Sequence, residues 1–264
     1  MKTEFETLLL DRPVEHVLRV TLNRPQSANA VNTKMGVELV DLFEQFALDT
    51  HELRAIVLTG AGDNAFCAGG DLKERRGMTD AQWLAQHAIF ERMTRALIAC
   101  PIPLIGAVNG AAYGGGCEFA GMCDFVYAVD TARFALTEVT LGIMPGAGGT
   151  QTLARAVGER RAKELILTGL PFSARDAHEW GFVNAVCEPA QLMPRVLETA
   201  ARIASNAPIA VRQAKKSIHR GLQMSLADGL AFEIEAYNRM VSTEDRHEGV
   251  LAFNEKRKPQ FRGR

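Results

Sequence analysis

Two acidic residues, Glu118 and Glu138, each border a glycine-rich stretch that follows an apolar, strand-like segment. A pair of carboxyl groups at one site is what general acid–base chemistry requires, because one group accepts a proton while the other donates one. A carboxyl at the edge of an apolar segment is expected to have a raised pKa, since burial disfavours its charged form. Spacing alone leaves a second interpretation open, in which the two residues are unrelated surface acids.

The stretch "GAAYGGGCEFAG" places three consecutive glycines, Gly114 to Gly116, just before Glu118. They fall where a predicted strand gives way to a predicted helix. The first N–H groups of a helix have no internal partner, and its N-terminus carries partial positive charge. This arrangement can hold an anion or an oxygen on which charge develops. In the alternative interpretation, Glu118 only complements the helix dipole and the glycines only permit close packing.

A second glycine-rich stretch, "GAGDNAFCAGGDLKE", spans residues 60–74. Its start fits a dinucleotide-binding pattern, but that fingerprint requires a helix to begin there, and "DNAFCAGGD" is typical of a loop. We therefore expect Gly69 and Gly70 to expose a backbone N–H to a ligand, with Lys73 near enough to meet a phosphate. Lys73 could equally be an ordinary solvated lysine. Tyr113 is a candidate pocket residue or a plain core residue.

The composition argues against several functional classes. The 264 residues carry a formal net charge of −1, with no block of like charges, so binding to nucleic acid or a membrane surface through bulk charge is not indicated. The five cysteines match no zinc or redox motif and are expected to be reduced, in the cytoplasm. We expect no metal site, and the six histidines are interpreted as surface residues.

Strand and helix signals alternate over the first two thirds of the chain. The predicted strands are 6–11, 16–23, 54–60, 104–110, 125–130, 132–138 and 181–186. The predicted helices are 32–49, 80–99, a short one ending at 122, 149–156, 159–168, 173–180, and three or four more between 191 and 256. The composition becomes almost purely helical near residue 190, which divides the chain into a core domain, 1–190, and a helical oligomerisation region, 191–264.

Three segments, "AFCAGGDLKE", "AVNGAAYGGGCEFAGMCDF" and "FALTEVTLGIMPGAGGTQTLARAVG", resemble the crotonase (enoyl-CoA hydratase/isomerase) superfamily in order and spacing. The resemblance implies an α/β fold, a ClpP-like spiral of ββα units followed by a C-terminal α-helical trimerisation region. It implies an acyl-CoA thioester as substrate, no other cofactor, and self-association as a homotrimer or a dimer of trimers.

The resemblance also implies roles for individual residues. The backbone N–H groups of Gly70 and Gly115 would form an oxyanion hole for the thioester carbonyl. Glu118 would position and deprotonate the water that attacks C3, and Glu138 would share that water and supply a proton to C2. The backbone of Gly146 would help to hold the water. The implied substrate- or CoA-binding positions are Ala28, Ala68, Gly69, Asp71, Lys73, Tyr113 and Gly146.

Both glutamates are present, which favours syn hydration of a trans-2-enoyl-CoA. A Δ3-Δ2 isomerase, a carnitinyl-CoA-type dehydratase, and a non-enzymatic acyl-CoA- or RNA-binding scaffold remain alternatives. Many short-chain hydratases of the superfamily have Gln-Pro or Leu-Pro before the second glutamate, where this chain has Leu136-Thr137. The length of the acyl chain therefore stays open.

Overall fold

The computed structural model describes residues 3–264, which form two β-sheets surrounded by helices. The strands are β1 (Leu8–Val14), β2 (Val17–Leu22), β3 (Ala55–Gly60), β4 (Ala65–Cys67), β5 (Leu104–Val108), β6 (Ala111–Tyr113), β7 (Phe125–Val129), β8 (Arg133–Ala135), β9 (Phe172–Ser173) and β10 (Ala185–Cys187). The α-helices are α1 (Thr33–Leu48), α2 (Leu72–Arg75), α3 (Asp80–Ala99), α4 (Gly115–Met122), α5 (Gly149–Val157), α6 (Glu159–Thr168), α7 (Ala174–Glu179), α8 (Pro189–Ala204), α9 (Pro208–Gly221), α10 (Leu226–Val241) and α11 (Glu244–Asn254). Short 3-10 turns cover Pro25–Ser27 and Glu138–Leu141.

The large sheet has six strands in the order β1-β2-β3-β5-β7-β10. Strands β1 and β2 are antiparallel, and the other neighbouring pairs are parallel. Every residue of β3 is buried, as expected for a central parallel strand covered on both faces. Helix α8 packs against β3, β5 and β7, so the first helix of the C-terminal region lies on this sheet.

The small sheet has the order β4-β6-β8-β9, and β4, β6 and β8 run parallel. The chain alternates between the two sheets: β3, β5 and β7 lie in the large sheet, and the strand after each of them lies in the small one. Each such pair is followed by one or more helical segments. This repeat confirms the predicted spiral of ββα units.

Most of the predicted elements are present, but the small sheet was not recognised as a sheet. Strands β4, β6 and β9 contain only two or three residues each, and β4 and β6 lie in glycine-rich segments. Such short segments show no alternation of apolar and polar residues, which is the signal that sequence reasoning uses. The predicted strand 181–186 is also displaced, since β10 begins at Ala185.

Buried polar side chains hold the loops that follow these short strands. The Asn29 side chain, fully buried, donates hydrogen bonds to the carbonyls of Ala61 and Ala65. The carboxylate of Asp71 accepts from the backbone N–H groups of Lys73 and Glu74, capping α2, and pairs with Arg24 at 2.8 Å. Asn29 therefore holds the turn before β4, and Asp71 holds the loop after it at the start of α2.

The C-terminal helices α9 to α11 differ from the rest of the chain in their exposed apolar side chains. On α10, Leu230, Ile234 and Tyr237 are each more than half exposed. Ile218 and Leu222, at the end of α9, are also exposed. Among the described residues, none of the helices combines the length and the apolar character that crossing a bilayer requires.

Candidate active site

Three loops meet at the carboxyl ends of the parallel strands β4, β6 and β8. The loop after β4 carries Gly70, the turn after β6 carries Gly115, and the segment after β8 carries Glu138. Because the carboxyl ends of parallel strands lie at one edge of a sheet, segments distant in sequence come together there. They line a cavity of about 740 Å³, a volume typical of small-molecule sites.

Two backbone amides face this cavity without a partner. Neither the N–H of Gly70 nor that of Gly115 donates to another described residue. A Cβ atom placed on Gly115 would lie 3.8 Å from the amide nitrogen of Gly70, so the two peptides are close together. Gly115 is the first residue of α4, where the helix dipole adds positive potential. The pair can donate two hydrogen bonds to one oxygen atom, which is the requirement for an oxyanion hole.

The neighbouring glycines are required for different reasons. Gly114 has φ +51°, in the left-handed region that side chains disfavour. A Cβ atom on Gly116 would overlap the carbonyl oxygen of Cys67, so this glycine lets α4 lie directly against the end of β4. The glycine run therefore brings the two unpaired amides side by side.

The carboxylate of Glu118 is held in place by two backbone N–H groups. It lies in the first turn of α4 and is 4% exposed. Its Oε1 accepts hydrogen bonds from the amides of Ala147 and Gly149, each at 2.8 Å. Burial and, to a smaller degree, the charge of Glu138 raise the pKa of Glu118, and the two N–H groups oppose the rise; the net pKa is about 7. Near neutral pH this group can exchange a proton.

Glu138 starts the 3-10 turn after β8, where its carboxyl group lies beside the glycine run. A Cβ atom on Gly114 would be 3.3 Å from its Oε1. Its Oε2 is buried and has no hydrogen-bond partner among the described residues. Burial raises the pKa of Glu138 as well. A protonated carboxyl with a free oxygen can donate to a ligand in the cavity.

The structure brings together most of the residues predicted from sequence. Those that line the cavity are Ala68, Gly69, Gly70, Gly115, Glu118, Glu138 and Gly146. Four others lie outside the lining: Ala28, Asp71, Lys73 and Tyr113. Ala28 and Lys73 are exposed beside the cavity, and Asp71 is occupied by its cap and its ion pair. Their assignment to CoA or substrate stays a prediction.

Sequence reasoning missed the wall that α2 and α3 contribute. Its lining residues are Arg75, Trp83, His87 and Phe90. His87 was interpreted as a surface residue, but a Cβ atom on Gly146 would lie 2.7 Å from its Cε1. The only sequence signal was the helical spacing of Trp83, His87 and Phe90, which by itself indicates one face of a helix and not what that face meets.

The geometry agrees with comparisons to known proteins. Residues 13–264 match the family model for enoyl-CoA hydratase/isomerase. A Bacillus subtilis protein of the enoyl-CoA hydratase/isomerase group, YngF, is 45% identical over 98% of this chain and 99% of its own length. A short-chain-enoyl-CoA hydratase of Clostridium acetobutylicum is 42% identical over 97% of both chains. The crystal structure of an enoyl-CoA hydratase from Bacillus anthracis, 43% identical, superposes with a TM-score of 0.96 over 98% of this chain and 100% of the other. The chain belongs to the enoyl-CoA hydratase/isomerase family, the crotonase superfamily.

Proposed function

We propose that this protein is an enoyl-CoA hydratase that adds water in the syn sense to a trans-2-enoyl-CoA and forms a 3-hydroxyacyl-CoA. The observation that carries the proposal is the convergence on one cavity of two unpaired amides, Gly70 and Gly115, with two buried carboxyl groups, Glu118 and Glu138. The names of the relatives support the same reaction.

In this mechanism the thioester carbonyl oxygen accepts hydrogen bonds from the N–H groups of Gly70 and Gly115. These bonds strengthen as the double bond is attacked, because negative charge moves to that oxygen in the enolate-like state. Loss of one such donor typically costs about 3 kcal/mol of transition-state stabilisation. The water oxygen bonds to C3, C2 gains a proton, and no electrons are gained or lost overall. The reaction as proposed needs only water and the CoA thioester.

The contacts of the two carboxyl groups support different roles. Glu118 accepts two N–H hydrogen bonds, which stabilise its ionised form and suit a base that orients and deprotonates the water. Glu138 has a free Oε2 in the same cavity, which suits the group that carries the proton to C2. Because both pKa values are raised, the pair can retain one proton near neutral pH. Gly146 lies beside them, and we assign its backbone to holding the water.

The direct test is the loss of absorbance of the conjugated thioester when the purified protein meets crotonyl-CoA. We expect turnover to 3-hydroxybutyryl-CoA, confirmed by chromatography of the product. If crotonyl-CoA and longer trans-2-enoyl-CoAs all remain unchanged, while a 3-enoyl-CoA is converted to the conjugated isomer, the protein is an isomerase. Binding of CoA thioesters without turnover of any enoyl-CoA would instead indicate a scaffold.

We also propose that the C-terminal helices assemble the protein into a homotrimer or a dimer of trimers. The exposed apolar residues of α10, among them Leu230 and Ile234, support this interface, since a large exposed apolar stripe marks a contact surface. Analytical ultracentrifugation should give a trimer or hexamer, and a Leu230→Glu/Ile234→Glu variant should dissociate. A monomeric wild-type protein would overturn the proposal.

All five cysteines are free thiols, which supports a cytoplasmic location.

A further inference from the structure

The wall that α2 and α3 contribute to the cavity contains a cation, the guanidinium of Arg75. Arg75 ends α2, a few residues after Gly70. A Cβ atom on Gly70 would lie 3.4 Å from both Cζ and Nη1 of Arg75, so the guanidinium sits beside the amide assigned to the thioester oxygen. Its Cζ is 4.2 Å from the ring centre of Trp83 and 5.5 Å from that of Phe90. The cation is thus packed between aromatic rings at the wall of the cavity.

The orientation of this guanidinium is set by a buried amide. Arg75 donates from Nε to Oε1 of Gln86 at 2.7 Å. Gln86 is 3% exposed, and its Nε2 donates to Thr33 Oγ1 and to Glu74 Oε2. These bonds fix which end of the amide faces Arg75. With Nε occupied, the two terminal nitrogens of the guanidinium remain for a ligand.

No described residue neutralises Arg75 at ion-pair distance. The nearest acid along the chain, Glu74, already accepts hydrogen bonds from Thr33 N–H and from Gln86. Partial burial lowers the pKa of the Arg75 guanidinium, and the charge of Glu74, which forms no ion pair with it, opposes this shift. Arg75 is half-buried, and a partly desolvated cation without an ion-pair partner at the wall of a ligand cavity points to an anion in the ligand.

The position of Arg75 within α2 places its side chain away from the surface where we expect CoA to bind. Lys73, exposed and outside the cavity lining, is two residues before Arg75. Residues two apart on a helix point to different sides. Lys73 therefore faces the outside, where we expect the CoA phosphates, and Arg75 faces the interior, where the acyl chain of the thioester would lie.

We infer that Arg75 selects trans-2-enoyl-CoA substrates whose short acyl chain ends in a second carboxylate. The planar fork of a guanidinium matches a carboxylate with two parallel hydrogen bonds. Because the guanidinium lies next to Gly70, a chain of about five carbons is a suitable match, and glutaconyl-CoA is the simplest such probe. The inference rests on the proposed hydratase reaction for the chemistry, and on Arg75 for the substrate class.

Binding is tested first, with saturated thioesters that cannot be hydrated. Glutaryl-CoA and pentanoyl-CoA have five-carbon chains and differ in the terminal group, carboxylate against methyl. We expect calorimetry to show that the wild-type protein binds glutaryl-CoA about tenfold more tightly or better, in the range of one charge-assisted hydrogen-bond pair. In the Arg75→Met variant this preference should disappear or reverse, and Arg75→Lys should restore part of it.

Turnover is tested with the matched pair glutaconyl-CoA and trans-2-pentenoyl-CoA. The ratio of their kcat/KM values should favour glutaconyl-CoA in the wild type and fall by about 10- to 100-fold in Arg75→Met. If Arg75 had a purely structural role, or contributed generally to the oxyanion site, the variant would lower kcat/KM for both substrates and leave their ratio unchanged. That result overturns the inference. The inference is also overturned if Arg75→Met weakens the binding of free CoA as much as that of glutaryl-CoA, because Arg75 would then bind the nucleotide.

The control variant is Arg95→Met, which removes an arginine from the exposed side of α3. Arg95 is 82% exposed and pairs with Glu91. The Arg95→Met variant should leave the ratio of the two kcat/KM values at the wild-type value. A fall in this ratio as large as that of Arg75→Met would show that bulk charge sets the preference. If pentenoyl-CoA is hydrated without any preference for glutaconyl-CoA, the substrate class is wrong and the hydratase proposal stands. If neither is hydrated but glutaryl-CoA still binds through Arg75, the hydratase proposal fails and the carboxylate site stands.

Discussion

Two segments each contribute a glutamate to the same cavity, but they hold the carboxyl groups of these glutamates differently. Glu118 projects from a helix whose N-terminus abuts the end of β4. Its Oε1 accepts from two N–H groups, that of Ala147 in the loop before α5 and that of Gly149 at the start of α5. Glu138 begins a 3-10 turn, and its Oε2 has no partner among the described residues. One carboxyl is therefore oriented by the protein, and the other has an oxygen left for a ligand.

This difference shows how equal side chains acquire unequal roles. Burial raises the pKa of both groups, so burial alone does not distinguish them. The backbone hydrogen bonds do, because two N–H groups, those of Ala147 and Gly149, stabilise ionised Glu118, whereas Glu138 has only its own backbone N–H. The segment that connects Glu138 to α5 thus supplies both one carboxyl group and the hydrogen bonds that orient the other.

The largest effect is expected from removing each carboxyl group in turn. Glu118→Gln should lower kcat for crotonyl-CoA by roughly 10³- to 10⁴-fold, and Glu138→Gln by roughly 10²- to 10³-fold, the range for lost acid–base groups. Steady-state kinetics measure both, and circular dichroism checks the fold. Comparable losses below tenfold would contradict the proposed acid–base pair.

A smaller loss should follow from disturbing the N–H groups that orient Glu118. A Cβ atom on Gly149 would lie 3.0 Å from both Cγ and Oε1 of Glu118, so Gly149→Ala must displace the carboxylate. Because the carboxylate has to move by only a few tenths of an ångström, we expect kcat to fall by roughly tenfold, less than for a catalytic group misplaced by a full ångström. Gly229→Ala, in α10, is the matched control and should leave kcat within twofold, since its new Cβ meets no atom closer than 3.5 Å. An unaltered kcat in Gly149→Ala would mean that the position of Glu118 does not limit the reaction.

The pH profile should report the coupling between the two carboxyl groups. Glu118 acts as a base when ionised, and its pKa in the free protein is about 7, so kcat/KM should fall about tenfold per pH unit below about pH 7. The charge of Glu138 raises this pKa. In Glu138→Gln the acid limb should therefore move to lower pH, and a limb that stays in place would show that the two groups titrate independently.

The smallest effect concerns stability and has the opposite sign to the effect on activity. The folded-state pKa of Glu118, about 7, exceeds the ordinary value of 4.5, so stability falls as pH rises between these values and is constant above. Glu118→Gln removes this penalty and should raise the free energy of unfolding at pH 8 by up to about 3 kcal/mol, with little difference at pH 4. Urea unfolding at both pH values tests this. A variant less stable than wild type at pH 8 would show that the two N–H bonds outweigh the cost of burying the charge.

Particular elements show where the sequence was informative. The capping box of Thr79 and Gln82 marked the start of α3, and α4 ends at Met122 as predicted. Both signals are local, since capping and helical periodicity involve residues a few positions apart. By contrast, β4 pairs with β6, and both β6 and β9 pair with β8, so these short strands depend on partners that are distant in sequence. Their segments show no strand pattern of their own.

By itself, the sequence determined the α/β class and most of the longer helices and strands, the family through its glycine-rich motifs, and the two glutamates as candidate catalytic groups. Only the tertiary structure decided that the ends of β4, β6 and β8 share one edge, that Ala147 and Gly149 orient Glu118, and that Arg75 faces the cavity. The physical reason is range: glycine runs and helical periods are properties of neighbouring residues. The placement of amides, carboxyl groups and a guanidinium around one cavity arises only after strands distant in sequence have packed together.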